Sequence, residues 1–228
     1  MNRQQGMNLI IVLNLILLIT AVSTLAVRSS IVGLKVATNS HIQALLMENS
    51  DAALFNMEDP RLVARQLAQD GMYSYFTASE NGEDELVFCY RAAATDFFRL
   101  DQASVITPNG VTTKIGEQGF CKANQFATGR AAILAQVYLK KNLESSAPLS
   151  QLIQGTSLGQ SLLPIASHQI GVTVISVLPS FSQISSAQLE ACFKKRASEV
   201  SQCFNQYNVP YNTQHADYVV GGQPNQTD

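Results

Sequence analysis

The rhythm of apolar and polar positions along this chain changes at two places. From Met7 to Val27 no charged residue occurs, and an apolar run rich in Leu, Ile and Val is interrupted only by Asn8, Asn14, Thr20, Ser23 and Thr24. About 20 such residues on a helix cross a bilayer core of roughly 30 Å, so the run predicts a transmembrane span over 7–27. Beyond Arg28, the residues Ile31, Leu34, Ile42, Leu45, Leu46, Ala52, Ala53 and Leu54 recur at spacings near three and four, with Lys35, Gln43, Glu48 and Asn49 between them. That is the helical period. No proline precedes Pro60, and Gly33 is the only glycine in the stretch, costing about 1 kcal/mol relative to Ala. The pattern predicts one helix from Met7 to Met57, about 75 Å long at 1.5 Å per residue. An ordinary juxtamembrane helix or coiled-coil stalk over 29–57 is the other reading.

After Asp59-Pro60, which suit the start of a short helix ending at Gly71, the period shortens to that of strands. Tyr73–Thr77 and Leu86–Tyr90 flank the polar segment Ser79–Asp84 and predict a hairpin. Phe97, Phe98 and Leu100 follow, then Val105–Thr107, a Pro108-Asn109-Gly110 turn, Val111–Ile115, and a loop holding Gly116, Gly119 and Cys121. The run Ala131–Leu143 has good helix formers, yet its core Ile133–Leu139 also suits a strand. Leu143–Leu163 is rich in Ser, Gln and Gly and predicts a loop with short helical pieces. Ile170–Leu178 is a strand stopped by Pro179. Ser185 or Ser186 caps a helix running through Glu190 toward Lys195, and a polar tail follows Gly221-Gly222.

Composition narrows the classes. The 228 residues leave about 170 beyond the leader and long helix, enough for one domain with a modest core. A net charge of −2 with 14% charged residues gives no electrostatic footprint for nucleic acid or anionic lipid at whole-chain level. Four cysteines on a chain with a membrane-crossing segment predict an oxidising compartment and two disulfides. Cys89 and Cys121 lie in neighbouring strand-like segments and suit a bond across the sheet. Cys192 and Cys203 would stand about 16 Å apart on a continuous helix, whereas a disulfide needs Cα atoms within about 7 Å. Either the helix breaks between them, with Ser198 capping a new helix before Glu199, or they pair elsewhere; the break, with the pairs Cys89–Cys121 and Cys192–Cys203, is the favoured reading.

Three roles compete for the first segment. A cleaved secretory signal would use Ala21-Val22-Ser23 or Thr24-Leu25-Ala26 as its small-residue site, although the apolar run is long for one. An uncleaved anchor needs only the span and the charge bias of Arg3. The third role accounts for a very short polar leader ending in Gly6 against the apolar run. In that feature MNRQQG followed by MNLIIVLNLILLITAVSTLAVRSSI resembles the class III signal of type IV pilins, and most closely PilX-type minor pilins. The resemblance covers 3–57, and more weakly 107–140. It implies that prepilin peptidase cuts after Gly6 and methylates the amine of Met7, where most pilins carry Phe. Most pilins also have Glu at the fifth mature position, which here is Ile11. In the family that Glu pairs with the amine of the subunit assembled before it. An unpaired carboxylate in a bilayer costs about 2.5–3.5 kcal/mol on insertion scales, so Ile11 suits a subunit with no such neighbour, at the pilus tip. K-type pseudopilins of type II secretion lack the Glu as well.

The same resemblance favours the strand reading of Ile133–Leu139, through Ile106, Thr107, Gly110, Gly129, Arg130, Gln136 and Tyr138. It implies an α+β fold in which the long N-terminal transmembrane and stalk helix packs on an antiparallel β-sheet pilin head with a C-terminal extension. The divisions are a leader over 1–6, the helix over 7–57, a head over 58–222 including the extension 142–222, and a tail over 223–228. A separate small domain is the other reading of the extension. The implied protein is an inner-membrane, single-pass minor pilin with a periplasmic head, assembled into an extracellular pilus. It would promote assembly from the tip and serve twitching, adhesion or DNA uptake. Implied partners are other minor pilins and the major pilin through the N-terminal helix, a tip adhesin and the prepilin peptidase. Asn14, Thr20, Ser23 and Thr24 are the candidates for hydrogen bonds between helices in lipid. A type II secretion pseudopilin of the K type and a signal-anchored periplasmic binding or enzymatic domain are the alternatives.

Candidate chemistry is sparse. Gly155-Thr156-Ser157-Leu158-Gly159 matches G-x-S-x-G, but a nucleophile elbow needs a strand before it and a helix after it, and Pro164 follows closely. His41, His168 and His215 show no metal-ligand spacing, although Asp217 is near His215. The cysteines lack C-x-x-C spacing, and no phosphate loop or dinucleotide fingerprint occurs. Arg130, Lys140, Lys141 and Lys194-Lys195-Arg196 are candidates for a basic patch, against the plainer reading of a solvated face. The expectation is a structural protein, not an enzyme, with no cofactor and no metal.

Overall fold

Strands β1 (Glu85–Tyr90), β2 (Ser104–Ile106), β3 (Leu134–Lys141), β4 (Ser167–Val177) and β5 (Tyr211–Gly221) form one sheet in the order β2-β1-β3-β4-β5. Every neighbouring pair is antiparallel. The computed structural model describes residues 5–59, 62, 66, 68, 70–94, 98–129, 132–141 and 167–221. It comprises two units, Met1–Ile42 and Gln43–Asp228. Helix α1 is continuous over Gln5–Glu58, and the chain is α+β.

Period-2 alternation sends side chains of each strand into two cores. Leu86, Phe88 and Tyr90 of β1, Ala135, Val137 and Leu139 of β3, and Ile170, Val172 and Val174 of β4 share one core with Ala53 and Met57 of α1. Val87, Leu134, Tyr138, Ile175 and Val177 share the other with Leu189, Phe193, Val200 and Phe204. Those last four residues come from helices α3 (Ser186–Phe193) and α4 (Ala197–Gln206). Because both faces are covered, every residue of β1 is buried and the strand reads as a nearly continuous apolar run rather than an alternation. On the first face the Ser50 and Ser176 hydroxyls meet at 2.8 Å, and Asn56 Nδ2 donates to the Tyr90 hydroxyl at 3.1 Å, joining residues of α1 to β4 and β1.

Several expectations need correction. Tyr73–Thr77 is not a strand: Met72–Tyr75 forms a helical turn, α2, with Met72, Tyr73 and Tyr75 buried. Strand β1 pairs with β3 along its whole length and with β2 at Glu85–Val87, and no ladder among the described residues includes Tyr73–Thr77. The Ser74 and Thr77 hydroxyls, donating to the carbonyls of Gly71 and Ser74 at 2.6 Å each, favour the turn. The second C-terminal helix does not start at Ser198. Helix α3 ends at Phe193 with Lys194 as its C-cap, and Arg196 occupies the N-cap position of α4 without a side-chain cap of its own. Of the short helix expected from Asp59 to Gly71, Leu62 and Gln66 are helical, and much of the remainder lies outside the described residues.

The turn at Pro108-Asn109-Gly110 is present. Gly110 has φ +77°, in the left-handed region that suits glycine, and its N–H donates to the Thr107 carbonyl at 2.9 Å. Ile133–Leu139 falls almost wholly within β3 and Ile170–Leu178 largely within β4. Ser185 caps α3 in a reciprocal box with Gln188. Strand β5, which lines the far edge of the sheet, was not singled out by the sequence. Its alternation of Asn212, Gln214 and Ala216 with Thr213, His215 and Asp217 is polar on both sides.

Candidate membrane segment and head sites

The described part of the first unit is helix, with its apolar side chains bare. Leu9 to Val36 includes no buried residue, and Leu9, Leu25 and Leu34 are each at least two-thirds exposed. The most apolar 18-residue window of this helix has a mean hydropathy of 2.6 and none of it is buried. A helix apolar all round and covered by no protein is matched to lipid. Among the described residues there is one helix, at the N-terminus, long and apolar enough to span a membrane.

Residues singled out from the sequence are distributed along this helix. Gly6 and Met7 lie in its first turn, and Ile11 is 55% exposed. Among the polar candidates, Thr20 Oγ1 donates to the Leu17 carbonyl at 2.9 Å and Thr24 Oγ1 to the Ala21 carbonyl at 2.8 Å. Those two hydroxyl protons are satisfied within the helix, leaving only their lone pairs to a neighbour. Asn14 and Ser23 make no side-chain hydrogen bond among the described residues, so their donors are the ones open to a second helix. The four are alike in the sequence, because i−3 bonding exists only once the backbone is helical.

In the second unit the disulfides are Cys89–Cys121, with Cα atoms 4.8 Å apart, and Cys192–Cys203, at 5.6 Å. Cys121 arrives beside β1 through Gly119, where a Cβ would overlap the Val87 carbonyl oxygen and the Ser104 backbone nitrogen. A buried polar network lies next to this link. Gln136 accepts from the Cys121 N–H at 2.8 Å and donates to the Phe193 carbonyl at 2.7 Å, while the Tyr138 hydroxyl donates to the same carbonyl at 3.1 Å. Burial pushes the Tyr138 hydroxyl well above its ordinary range, so it stays a donor. Gln136 and Tyr138 thus serve the unpaired C-terminal carbonyl of α3.

In the lysine and arginine run at 194–196, Lys194 and Arg196 are engaged by carboxylates, and Lys195 is exposed. Lys194 pairs with Glu117 at 2.8 Å, and the Arg196 guanidinium pairs with the buried Glu85 at 3.1 Å. Glu85 Oε2 also accepts the Ala197 N–H at 2.9 Å, supplying from β1 the cap that α4 lacks in its own sequence. Lys141 leans toward the Phe76 carbonyl, Lys140 is exposed, and Arg130 lies outside the described residues.

The G-x-S-x-G stretch around Ser157 also lies outside the described residues, as does the side chain of His168; His41 is exposed on α1. His215 sits on the open face between β4 and β5, with Nδ1 2.9 Å from Thr173 Oγ1 and Nε2 3.3 Å from Asp217 Oδ1. Thr173 faces His215 in register, and both His215 and Asp217 are more than half exposed. Without a cleft or converging N–H donors among the described residues, the trio is a cross-strand polar contact. Among the described residues no three His, Cys, Asp or Glu side chains converge on a metal position. A cleft is lined by Leu45, Glu48, Asn49, Ala52, Arg91 and Phe126. At its wall the Asn49 amide donates to the Leu45 carbonyl at 2.8 Å, and its Oδ1 is buried without a partner.

No protein-family model, curated protein or solved structure matches this chain.

Proposed function

We propose that this chain is a minor pilin of a type IV pilus, cleaved after Gly6, held in the inner membrane by the apolar part of α1, and assembled through that helix at the pilus tip. The observation that carries this reading is the continuity of α1. One helix holds a bare, charge-free apolar stretch and, from Leu46 to Met57, a face buried in the α+β unit. A cleaved signal needs no such continuation into the folded domain. Two disulfides in the head suit a periplasmic or extracellular position.

The role is structural. Inside lipid there is no hydrophobic drive between helices, so association with sister subunits rests on shape packing and polar contacts. Asn14 and Ser23 supply the open donors for it. Ile11 spares a tip subunit an unpaired carboxylate in the membrane.

The test is mass spectrometry of the N-terminal peptide from membrane-extracted protein, with and without the prepilin peptidase. An N-methylated start at Met7 that depends on the peptidase is the expected result. A retained Met1 would instead indicate a plain signal anchor, and a start near Thr24 or Val27 a secretory signal; either outcome overturns the proposal. Loss of pili on deletion, with type II secretion intact, separates the pilus from the pseudopilin role.

A further inference from the structure

A lysine, an asparagine and an aspartate converge in the head at distances that a surface ion pair does not require. Lys114 Nζ lies 2.7 Å from Asn81 Oδ1 and 2.6 Å from Asp84 Oδ2. Asp84 also accepts the Tyr75 hydroxyl at 2.6 Å, and the ammonium stands 5.6 Å from the centre of the Tyr75 ring. Asn81 is 9% exposed and Asp84 3%, while the Lys114 side chain is 34% exposed, so the amine enters a largely dry pocket from its open side. The Asn81 amide cannot turn away. Its Nδ2 donates to the Tyr75 carbonyl at 2.8 Å, which fixes Oδ1, and the carbon bonded to it, toward the amine. Asn81 and Lys114 sit on separate supports, the 3-10 turn Ser79–Asn81 and the loop after Gly110, so the meeting is tertiary.

From this geometry we propose that Lys114 and Asn81 become joined by an intramolecular amide bond, with Asp84 moving the protons. The Lys114 ammonium gives a proton to the Asp84 carboxylate. The neutral amine attacks Asn81 Cγ, forming the new C–N bond and a tetrahedral adduct. Asp84 returns the proton to the departing nitrogen, the Cγ–Nδ2 bond breaks, and nitrogen leaves as ammonium once the attacking nitrogen has also given up a proton. One ammonium and one carboxamide are consumed, one secondary amide and one ammonium ion are formed, and no oxidant or external reactant is needed. Holding nucleophile and carbonyl together supplies the proximity that such an uncatalysed aminolysis lacks in solution. Asp84 acts as a general acid–base within hydrogen-bond reach of the nucleophile. Burial and the hydrogen bond to Asp84 hold the Tyr75 hydroxyl protonated, so Tyr75 keeps Asp84 oriented as a donor without competing for its role. The product is a crosslink between residues 81 and 114 that overlaps the Cys89–Cys121 loop and, unlike it, survives reduction. This inference does not depend on the pilus reading.

The test uses the full chain extracted from membranes, denatured, reduced, digested with trypsin and read by mass spectrometry. The expected result is a branched peptide joining the Asn81 and Lys114 segments, lighter than their sum by one ammonia, with cleavage after Lys114 absent. Lys114→Arg abolishes the branched species, and Asp84→Asn abolishes or greatly slows its appearance. Ordinary cleavage after Lys114 with an unchanged peptide mass in the wild-type chain overturns the proposal, whether or not either variant folds. A branched peptide that forms undiminished in Asp84→Asn overturns the role given to Asp84.

Discussion

Gln136 illustrates how much one residue holds in this head. It is fully buried, yet its carbonyl and amide are both used, by the Cys121 N–H and the Phe193 carbonyl. Replacing it by Leu keeps the volume but leaves a buried N–H and weakens the binding of a helix-terminal carbonyl. An unmade buried hydrogen bond costs about 1–3 kcal/mol, so Gln136→Leu should lower the unfolding free energy by roughly 2–4 kcal/mol. Tyr138→Phe should cost only about 1 kcal/mol, because Gln136 still serves Phe193. Urea denaturation of the two variants checks the order; equal losses would mean that the network is not shared as described. The polar character of these residues was visible in the sequence. Their partners were not, because Phe193 lies 57 residues from Gln136.

At the scale of elements, the C-terminal helical hairpin shows local signals and tertiary substitution side by side. Helix α3 begins where Ser185 and Gln188 say it should, with each side chain serving the other's backbone N–H. Helix α4 has no such signal, and Ser198 is passed over in favour of a cap from another element. Glu85 on β1 binds the Ala197 N–H with one oxygen and the Arg196 guanidinium with the other. Removing the side chain in Glu85→Ala takes away both cap and ion partner, and should cost roughly 2–4 kcal/mol. Glu85→Gln, which retains an acceptor, should cost distinctly less. Hydrogen exchange at the first turn of α4 is the local readout: protection there should fall in Glu85→Ala while α3 keeps its own. Once Cys192 pairs with Cys203, helix geometry requires a break between them, but its position follows from where Glu85 stands.

At the scale of the whole molecule, buried tyrosines set a pH dependence. Burial raises the hydroxyls of Tyr73, Tyr75 and Tyr218 above their ordinary value, with Asp84 adding to the effect at Tyr75 and Glu58 at Tyr218. An unfolded chain loses tyrosine protons near pH 10, while the folded head keeps them. Above about pH 10 the unfolded state therefore binds fewer protons, and stability falls as pH rises. Below that pH these groups contribute their full stabilisation. Urea midpoints should be insensitive to these hydroxyls from neutral pH to about 9 and decline beyond about 10; a midpoint that holds at higher pH would remove them from the balance.

The sequence by itself determined the elements whose cause is local or repetitive. The charge-free run fixed an apolar helix, the absence of proline let it continue to Glu58, and apolar runs marked β1 and β4, whereas the run at Ile133–Leu139 suited helix or strand alike. Gly110 fixed a turn through its left-handed backbone, and helix geometry left Cys192 and Cys203 either a break between them or partners elsewhere. Tertiary structure decided which segments share an edge. Tyr73–Thr77 is as strand-like as β1, but β1 takes β3 along its whole length and β2 at Glu85–Val87, and the Ser74 and Thr77 hydroxyls hold the segment in a turn. Polar β5 became a strand because β4 offered the edge that completes the sheet. The convergence of Asn81, Asp84 and Lys114 was likewise beyond the sequence: each is an ordinary polar residue in a turn or loop, and chemistry between them depends on a separation in space that spacing along the chain does not encode.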